Sequence, residues 1–509
     1  MSAQKELKGR ELVYQLNGRP PLAVAIPLGL QHVLSMFIGN LAPVVVITSV
    51  VSAVTGEAIA TPEQRRIMIQ CCMFASGITT LVQLYPIKIG QYQIGAGLPI
   101  VMGTSFAFVP TMITIGREFG LGVILGAVIV GGITEVLMGF FIKPLRKFFP
   151  PLVIGAVLMT IGLHLLPVGV QYFAGGAAAE GAAKAVAAGT ASAAQAALAL
   201  KYASWQNLLI GGIVFLTILL LNRFAKGVLK MSAILVGILI GYITAIILGE
   251  VDFEQVRLAG IISAPIPFYV RPEFRMDAIL SIAALYVVSG LETMGNINGI
   301  TIAGFDREST SREMSGAVMA DAAGSMFAGV FNCLPNTAFG QNAGIVAMTR
   351  VVNKFCIFTG ALILILAGLS PKIGAIFSVM PPSVLGGAVV TVFAMIMLNG
   401  MKLIAKAGFS DRNLLILAIT FGVAYAIGEN KVLVAHLPMA TKALFNSGSS
   451  FSNAINAIWE NLVNFVFKDT TVTVCLFSIL LNIIFPPSAE EKERMRNAVQ
   501  EAAVEDLKG

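Results

Sequence analysis

Among the few ionisable side chains inside the long apolar stretches of this 509-residue sequence, the candidates for chemistry are His32, Glu135, Glu292 and Asp321. Holding a charge among apolar segments is costly, so each must be paired, neutral, or in contact with a ligand or coupling ion. Glu292 lies in Leu285-Tyr286-Val287-Val288-Ser289-Gly290-Leu291-Glu292-Thr293-Met294-Gly295-Asn296. Its carboxyl either touches ligand or coupling ion, or makes a structural hydrogen bond. Asp321, one segment later, either bonds the backbone of an interrupted helix or carries a proton. His32, beside Gln31, is either a satisfied core histidine or a functional group. Glu135 is expected to bridge two helices by a hydrogen bond. Neither a nucleophile with its base nor a metal-binding spacing such as His-Glu-x-x-His accompanies these residues, so no enzyme and no metal site is indicated. Cys71, Cys72, Cys333, Cys356 and Cys475 are odd in number and show no ligand spacing; they read as small core residues.

The elements that position these groups must be membrane helices. The chain is 56% hydrophobic and 12% charged, with mean hydropathy +0.84, and soluble domains carry about twice that charged fraction. Apolar runs long enough to cross a bilayer recur throughout. About fourteen segments are expected, beginning near residues 22, 66, 98, 120, 151, 206, 231, 278, 314, 341, 354, 383, 411 and 470. Those near 98 and 341 are too short to span. The polar N-terminus precedes an apolar run too long for a signal-peptide core, so no cleavage is expected. An even count puts both termini on one side. The N-terminus, Lys88, 143–147, 223–230, 305–313, 350–354, 402–412 and the tail hold 22 of the 34 Lys and Arg, which assigns both termini to the cytoplasm. The net charge of +7 therefore reports topology; no basic patch with interleaved aromatics points to nucleic acid.

An internal repeat organises the chain. Pro150-Pro151-Leu152-Val153-Ile154-Gly155-Ala156-Val157 recurs as Pro381-Pro382-Ser383-Val384-Leu385-Gly386-Gly387-Ala388. Gly103-Thr104-Ser105-Phe106-Ala107-Phe108 answers Asn336-Thr337-Ala338-Phe339-Gly340-Gln341 at nearly the same offset. Two halves of seven segments must have opposite topology, an architecture of secondary transporters, with the interrupted segments 93–110 and 334–349 facing each other near the midplane. Two insertions fall on the expected outer face. Residues 171–204 are Ala-rich and read as a peripheral helical hairpin; 429–469 contains an amphipathic pattern from Phe451 to Phe467. Both read as spacers.

Gln341-Asn342-Ala343-Gly344-Ile345-Val346-Ala347-Met348-Thr349-Arg350 resembles the signature of the nucleobase/ascorbate transporter family, also called nucleobase cation symporter-2. Gln31-His32, the Gly103–Phe108 stretch, the Glu292 segment and Asp321 follow in the family's order, so the resemblance covers roughly 20–487. It implies an all-α polytopic fold of fourteen segments in two inverted repeats of seven, with short extended pieces in broken segments 3 and 10. It also implies core pieces at 22–142 and 278–370, gate pieces at 143–277 and 371–487, and cytoplasmic ends at 1–21 and 488–509. A homodimer in the inner (plasma) membrane, with core moving elevator-like against gate, is implied as well. Carried over, Glu292 and Gln341 hydrogen-bond the base, Phe106 stacks on it, and Ser105, Phe339 and Gly340 line the pocket. His32, Asn296, Asp321 and Asn342 support the site or the coupling.

The chemistry agrees with these roles. A purine dione alternates C=O acceptors with N–H donors, a Gln amide offers one of each in a plane, and a carboxylate accepts ring N–H bonds. Members of the uracil type tend to carry Glu where this chain has Gln341, which favours xanthine or uric acid, taken up by ion-coupled symport. Asn296 stands where comparable members tend to carry His or Asp; Asn cannot titrate, leaving Glu292 or Asp321 to carry a proton, with Na+ as the other coupling ion. No cofactor is expected. The alternatives are another nucleobase, such as uracil, or an anion transporter of sulfate-permease-like fold. The latter is expected to carry a large domain after the last span, whereas about 21 residues follow Ser488.

Overall fold

The computed structural model describes residues 11–90, 92–141, 150–430, 433, 436, 467 and 470–486. The expected interfacial helix from Phe451 to Phe467 and the charged loop at 143–147 lie outside the described residues.

Helices begin close to the positions that hydropathy marks. The first half contains α1 (Leu22–Thr48), α2 (Pro62–Leu84), the strands β1 (Ile87–Ile89), β2 (Tyr92–Ile94) and β3 (Met102–Thr104), then α3 (Val109–Phe119), α4 (Leu121–Phe140) and α5 (Pro151–Phe173). The Ala-rich insertion forms two short helices, α6 (Ala177–Ala187) and α7 (Ala193–Ala199), as expected. Two apolar helices follow, α8 (Trp205–Phe224) and α9 (Ala233–Ile247). The second half runs α10 (Met276–Phe305), α11 (Ser311–Val330), β4 (Asn336–Ala338), α12 (Gly340–Thr349), α13 (Lys354–Gly368), α14 (Pro371–Ser378) and α15 (Pro382–Ala407). It ends with α16 (Asp411–Ile419), continued through a π-helical stretch to Glu429, and α17 (Thr470–Ile484).

Local chemistry sets several of these boundaries. Thr61 and Thr310 each close a capping box, with Gln64 and Glu313, so α2 and α11 start with their free N–H groups satisfied. Proline opens α2, α5, α14 and α15 at a position where its missing N–H costs nothing. Among the described residues, eight helices are long and apolar enough to cross a membrane. The pair α13–α14, bent by 78°, adds a ninth candidate span, and α9 and α17 are shorter apolar helices. Three features departed from the hydropathy reading: the β1–β2 hairpin, the α13–α14 bend and the π-helical stretch. None of them changes composition enough to show in an apolar run.

The chain divides into two compact units, 1–142 with 164–394, and 143–163 with 395–509. In the larger unit, α4 packs on α10 and α11, and α13 packs on α1 and α2. Glycines permit these contacts: a Cβ at Gly29 would collide with Thr359 and the Cys356 carbonyl, and one at Gly77 would lie 2.8 Å from the Ala361 carbonyl. In the smaller unit, Leu152, Ile404, Ile416 and Leu481 form the core, and a Cβ at Gly155 would come within 2.8 Å of the Gly400 carbonyl. Gly386, the repeat counterpart of Gly155, meets the backbone of Phe173 in the larger unit still more closely, a Cβ there lying 2.1 Å from Phe173 N. All five cysteines are free and buried, as expected.

Candidate functional site

The interrupted segments meet as two three-residue strands. β3 pairs antiparallel with β4 in the register Met102↔Ala338, Gly103↔Thr337, Thr104↔Asn336, so the two stretches that match in sequence are hydrogen-bonded to each other. Phe339 N–H donates to the Val101 carbonyl at 2.9 Å and Ser105 N–H to the Pro335 carbonyl at 2.9 Å, closing the ends of the ribbon. Helix α3 follows β3 and helix α12 follows β4, which leaves helix N-termini at the break, where unpaired N–H groups supply positive partial charge.

The outward-facing N–H groups of both strands are taken by side chains. Met102 N–H donates to Thr80 Oγ1 at 2.9 Å, and Thr104 N–H to Asn40 Oδ1 at 2.7 Å. Asn336 N–H donates to Ser325 Oγ at 2.9 Å, and Ala338 N–H to Asp321 Oδ2 at 3.4 Å. The Asn336 amide donates to Ser76 Oγ at 2.8 Å, and Ser76 in turn donates to Asn40 Oδ1 at 2.9 Å, so one buried network ties both strands together. Buried polar groups in an apolar slab persist when satisfied in this way.

Asp321, fully buried, accepts from the Thr293 hydroxyl and from Gln83 Nε2 at 3.3 Å, in addition to Ala338 N–H. This places it against the broken-helix backbone. Asn296 donates from Nδ2 to the Ala338 carbonyl at 3.0 Å, so it holds β4 without needing to titrate. His32 is buried with Nδ1 3.0 Å from Asn342 Nδ2, which also donates to the His32 carbonyl at 3.3 Å. Phe339 is buried against the glycines: a Cβ at Gly39 or Gly103 would strike its ring at 2.9 or 2.7 Å.

Phe106 and Ser105, both buried, directly follow β3; Phe106 packs edge-on to Phe393 with ring centroids 5.5 Å apart. Gly340 and Gln341 follow β4 and are exposed. Glu292, half-buried, lies one turn before Asn296 on α10. Among the described residues, neither the Glu292 carboxyl nor the Gln341 amide has a hydrogen-bond partner. The ten residues singled out in the sequence thus cluster on the ribbon, the segments leaving it and the helices that carry it. Asn40, Ser76, Thr80, Gln83, Thr293 and Ser325 were missed. A search for uncharged polar residues within apolar segments, rather than for ionisable ones, would have found them.

Glu135 departs from expectation. It is fully buried on α4, yet among the described residues neither carboxyl oxygen meets a hydrogen-bond partner. A cavity of about 340 Å³ lies apart from the ribbon, lined among others by Val46, Arg117, Gln171, Tyr172 and Lys184. At its edge Glu180 is paired with Lys184 at 2.7 Å and with Gln171. Burial pushes the Glu180 carboxyl up, but these two partners outweigh it and hold the group below the usual carboxylate range.

Apolar helices built around a paired-strand break with unbonded polar groups define a polytopic membrane transporter. Among the described residues no group of His, Cys, Asp and Glu could hold a metal ion. A family model described as "Permease family" matches residues 24–429, and the chain belongs to this family, the nucleobase/ascorbate transporters that the Gln341 motif resembles. It is 33% identical over 449 residues to the xanthine permease of Bacillus subtilis, covering 87% of this chain and 94% of that one. It is 34% identical over 440 residues to the uric acid permease PucJ of the same organism, covering 86% and 91%. The fold is that of the transmembrane domain of the cyanobacterial bicarbonate transporter BicA, with TM-score 0.53, 14% identity, and 90% and 97% of the two chains covered. Murine Solute Carrier 26 family member A9, an anion transporter, aligns with TM-score 0.52 at 11% identity over 94% of this chain and 70% of that one. These two similarities describe fold alone.

Proposed function

We propose that this permease imports a purine dione, xanthine or uric acid, by ion-coupled symport. The observation that carries the reading is the pair of polar groups at the break that have no hydrogen-bond partner among the described residues, Glu292 on α10 and Gln341 at the start of α12. The ribbon's outward N–H groups are bonded, whereas among the described residues Asn40 Nδ2 and Asn342 Oδ1 stay open along with Glu292 and Gln341, and groups left open at a helix break are what a polar ligand would use. Glu292 accepts the ring N–H, Gln341 matches a C=O and N–H pair, and Phe106 offers a face for stacking, with Ser105, Phe339 and Gly340 lining the pocket. The permeases of xanthine and uric acid among the relatives support the same substrate class. Asp321, His32, Asn296 and Asn342 hold the ribbon in register, and a proton is the coupling ion, carried by Glu292 or Asp321.

In this reading 22–142 and 278–370 move as a core against a gate of 143–277 and 371–487, within a homodimer of the plasma membrane with both termini cytoplasmic. The test is uptake of radiolabelled xanthine into proteoliposomes, with urate, guanine, hypoxanthine, uracil and ascorbate as competitors, under a proton gradient, a sodium gradient or neither. Competition by xanthine and urate with proton-driven accumulation is expected. Preference for uracil or ascorbate, or accumulation driven by sodium alone, refutes the substrate or the ion respectively.

A further inference from the structure

Glu135 is the buried acid that the proposed site does not use. Helix α4 carries it into the packing of α10 and α11, where its Oε1 lies 3.2 Å from the point a Cβ on Gly290 would occupy. Met138 Sδ is 2.8 Å from the same point, so Gly290 is a notch on α10 in which the carboxyl sits. Among the described residues neither oxygen receives a donor, and Ser289 Oγ, next to the notch and fully buried, is also unpartnered. An ionised Glu135 would be a bare charge in an apolar interior, at a cost of several kcal/mol. A neutral carboxyl avoids that cost. Among the described residues it makes none of the helix-bridging bonds that would justify a structural acid.

Its surroundings connect it to the site. On α4, Gly132 and Gly139, one turn to either side of Glu135, face α11 so closely that a Cβ on each would lie 3.5 Å from the Ala322 and Ser315 carbonyls, and the titratable groups in the middle of the helices packed on α4 are Asp321 on α11 and Tyr286 and Glu292 on α10. The Tyr286 hydroxyl is occupied, donating to the Val128 carbonyl on α4 at 3.0 Å. The other ionisable side chains of the helices packed on α4 stand in end turns: Arg117 and Glu118 on α3, Asp277 on α10, Arg312 and Glu313 on α11.

We propose that Glu135 is a second proton-binding site of the transport cycle, behind Asp321, holding its proton while α4, α10 and α11 are packed as here and releasing it to water when that packing opens. The step breaks one O–H bond, leaves a carboxylate and needs no other reagent. It rests on the reading of the chain as an ion-coupled permease, and it adds to that reading a residue that never touches the substrate.

The test compares Glu135→Gln, a permanent mimic of the protonated acid, with wild type in proteoliposomes. Wild-type transport of xanthine or urate is measured beforehand; if neither moves, the proposed function fails and the inference is judged by spectroscopy alone. Where wild type transports, equilibrium exchange by E135Q should stay within about twofold, while gradient-driven accumulation falls at least about tenfold and its pH dependence flattens. E135Q that accumulates substrate as wild type does, with the same pH profile, overturns the proposal, because a merely structural neutral group would be replaced by Gln without loss. If E135Q does not fold, Glu135→Asp keeps the titrating group: a displaced pH midpoint is expected, and an unchanged profile overturns the proposal. Independently of transport, the infrared spectrum of an E292Q/D321N protein should show a protonated-carboxyl C=O stretch that E135Q removes; absence of that band overturns it.

Discussion

Replacing Asp321 by Asn tests the network that holds β4. Asp321 Oδ2 serves the Thr293 hydroxyl and Ala338 N–H, and Oδ1 serves Gln83 Nε2 at 3.3 Å, so every neighbour is a donor. An Asn can satisfy one side only. If its oxygen keeps Thr293 and Ala338, its amide nitrogen faces the Gln83 amide nitrogen. Gln83 cannot escape by flipping, because its Oε1 already accepts Ala96 N–H at 3.0 Å and its Nε2 donates to the Ala317 carbonyl at 3.1 Å. The cost is one buried, unpaired donor, about 1–3 kcal/mol, and the surviving bond from Gln83 to Ala317 puts it in the lower half of that range.

The measurement is a double-mutant cycle on purified protein in detergent, using D321N, Gln83→Ala and the pair, with denaturation midpoints as readout. The donor conflict disappears when Gln83 is removed, so the pair should be less destabilised than the sum of the singles by about 1 kcal/mol. Strict additivity would refute the conflict and with it the claim that Asp321 and Gln83 act as one unit. Wild-type stability in D321N alone would refute the acceptor-only reading of the site.

Glu292→Gln should reduce uptake by about 10- to 100-fold, the loss of one charge-assisted hydrogen bond, and leave the melting temperature unchanged because Glu292 makes no hydrogen bond among the described residues; wild-type uptake would remove it from the site. Gln341→Glu replaces a donor–acceptor amide by an acceptor and should weaken purine binding or shift the competition profile toward uracil; an identical profile would count against the pairing with the dione. Joining the chain across α6 and α7 should leave uptake within about twofold, since surface loops tolerate changes in length; a tenfold loss would instead give a role to the cavity that Ala177, Gly181 and Lys184 help to line.

Segment starts and the position of the break were legible because both are written in composition: apolar runs mark helices, and a polar, Gly-rich stretch repeated at a fixed offset marks a ribbon. The partners of that ribbon were not legible. Asn40, Thr80 and Ser325 sit in α1, α2 and α11 as uncharged polar residues that bilayer hydropathy tolerates, so nothing in a window average distinguishes them from filler. Glu135 misled for the opposite reason. A buried acid draws attention, and the natural expectation is a bond to a facing helix, but the facing residue is Gly290, which offers a notch instead of a donor.

The two halves share a frame while dividing the chemistry unequally. Each strand spends one edge on its partner and hangs the other on side chains, β3 on Thr80 and Asn40, β4 on Ser325 and Asp321. Three of these four anchors are neutral, and β3 is held at 2.9 and 2.7 Å without any acid. Holding a strand therefore does not require a carboxylate. What a carboxylate adds at Asp321 is a group that can gain or lose a proton, on a helix packed against those that carry Glu292 and Glu135. Two of those three acids belong to the second half, and the aromatic face of Phe106 belongs to the first. In the proposed mechanism the repeat supplies the symmetric break, and its departure from symmetry gives Glu292 and Asp321 to the second half and the stacking face of Phe106 to the first, with Glu135 reaching across from α4 to the helices of the second half.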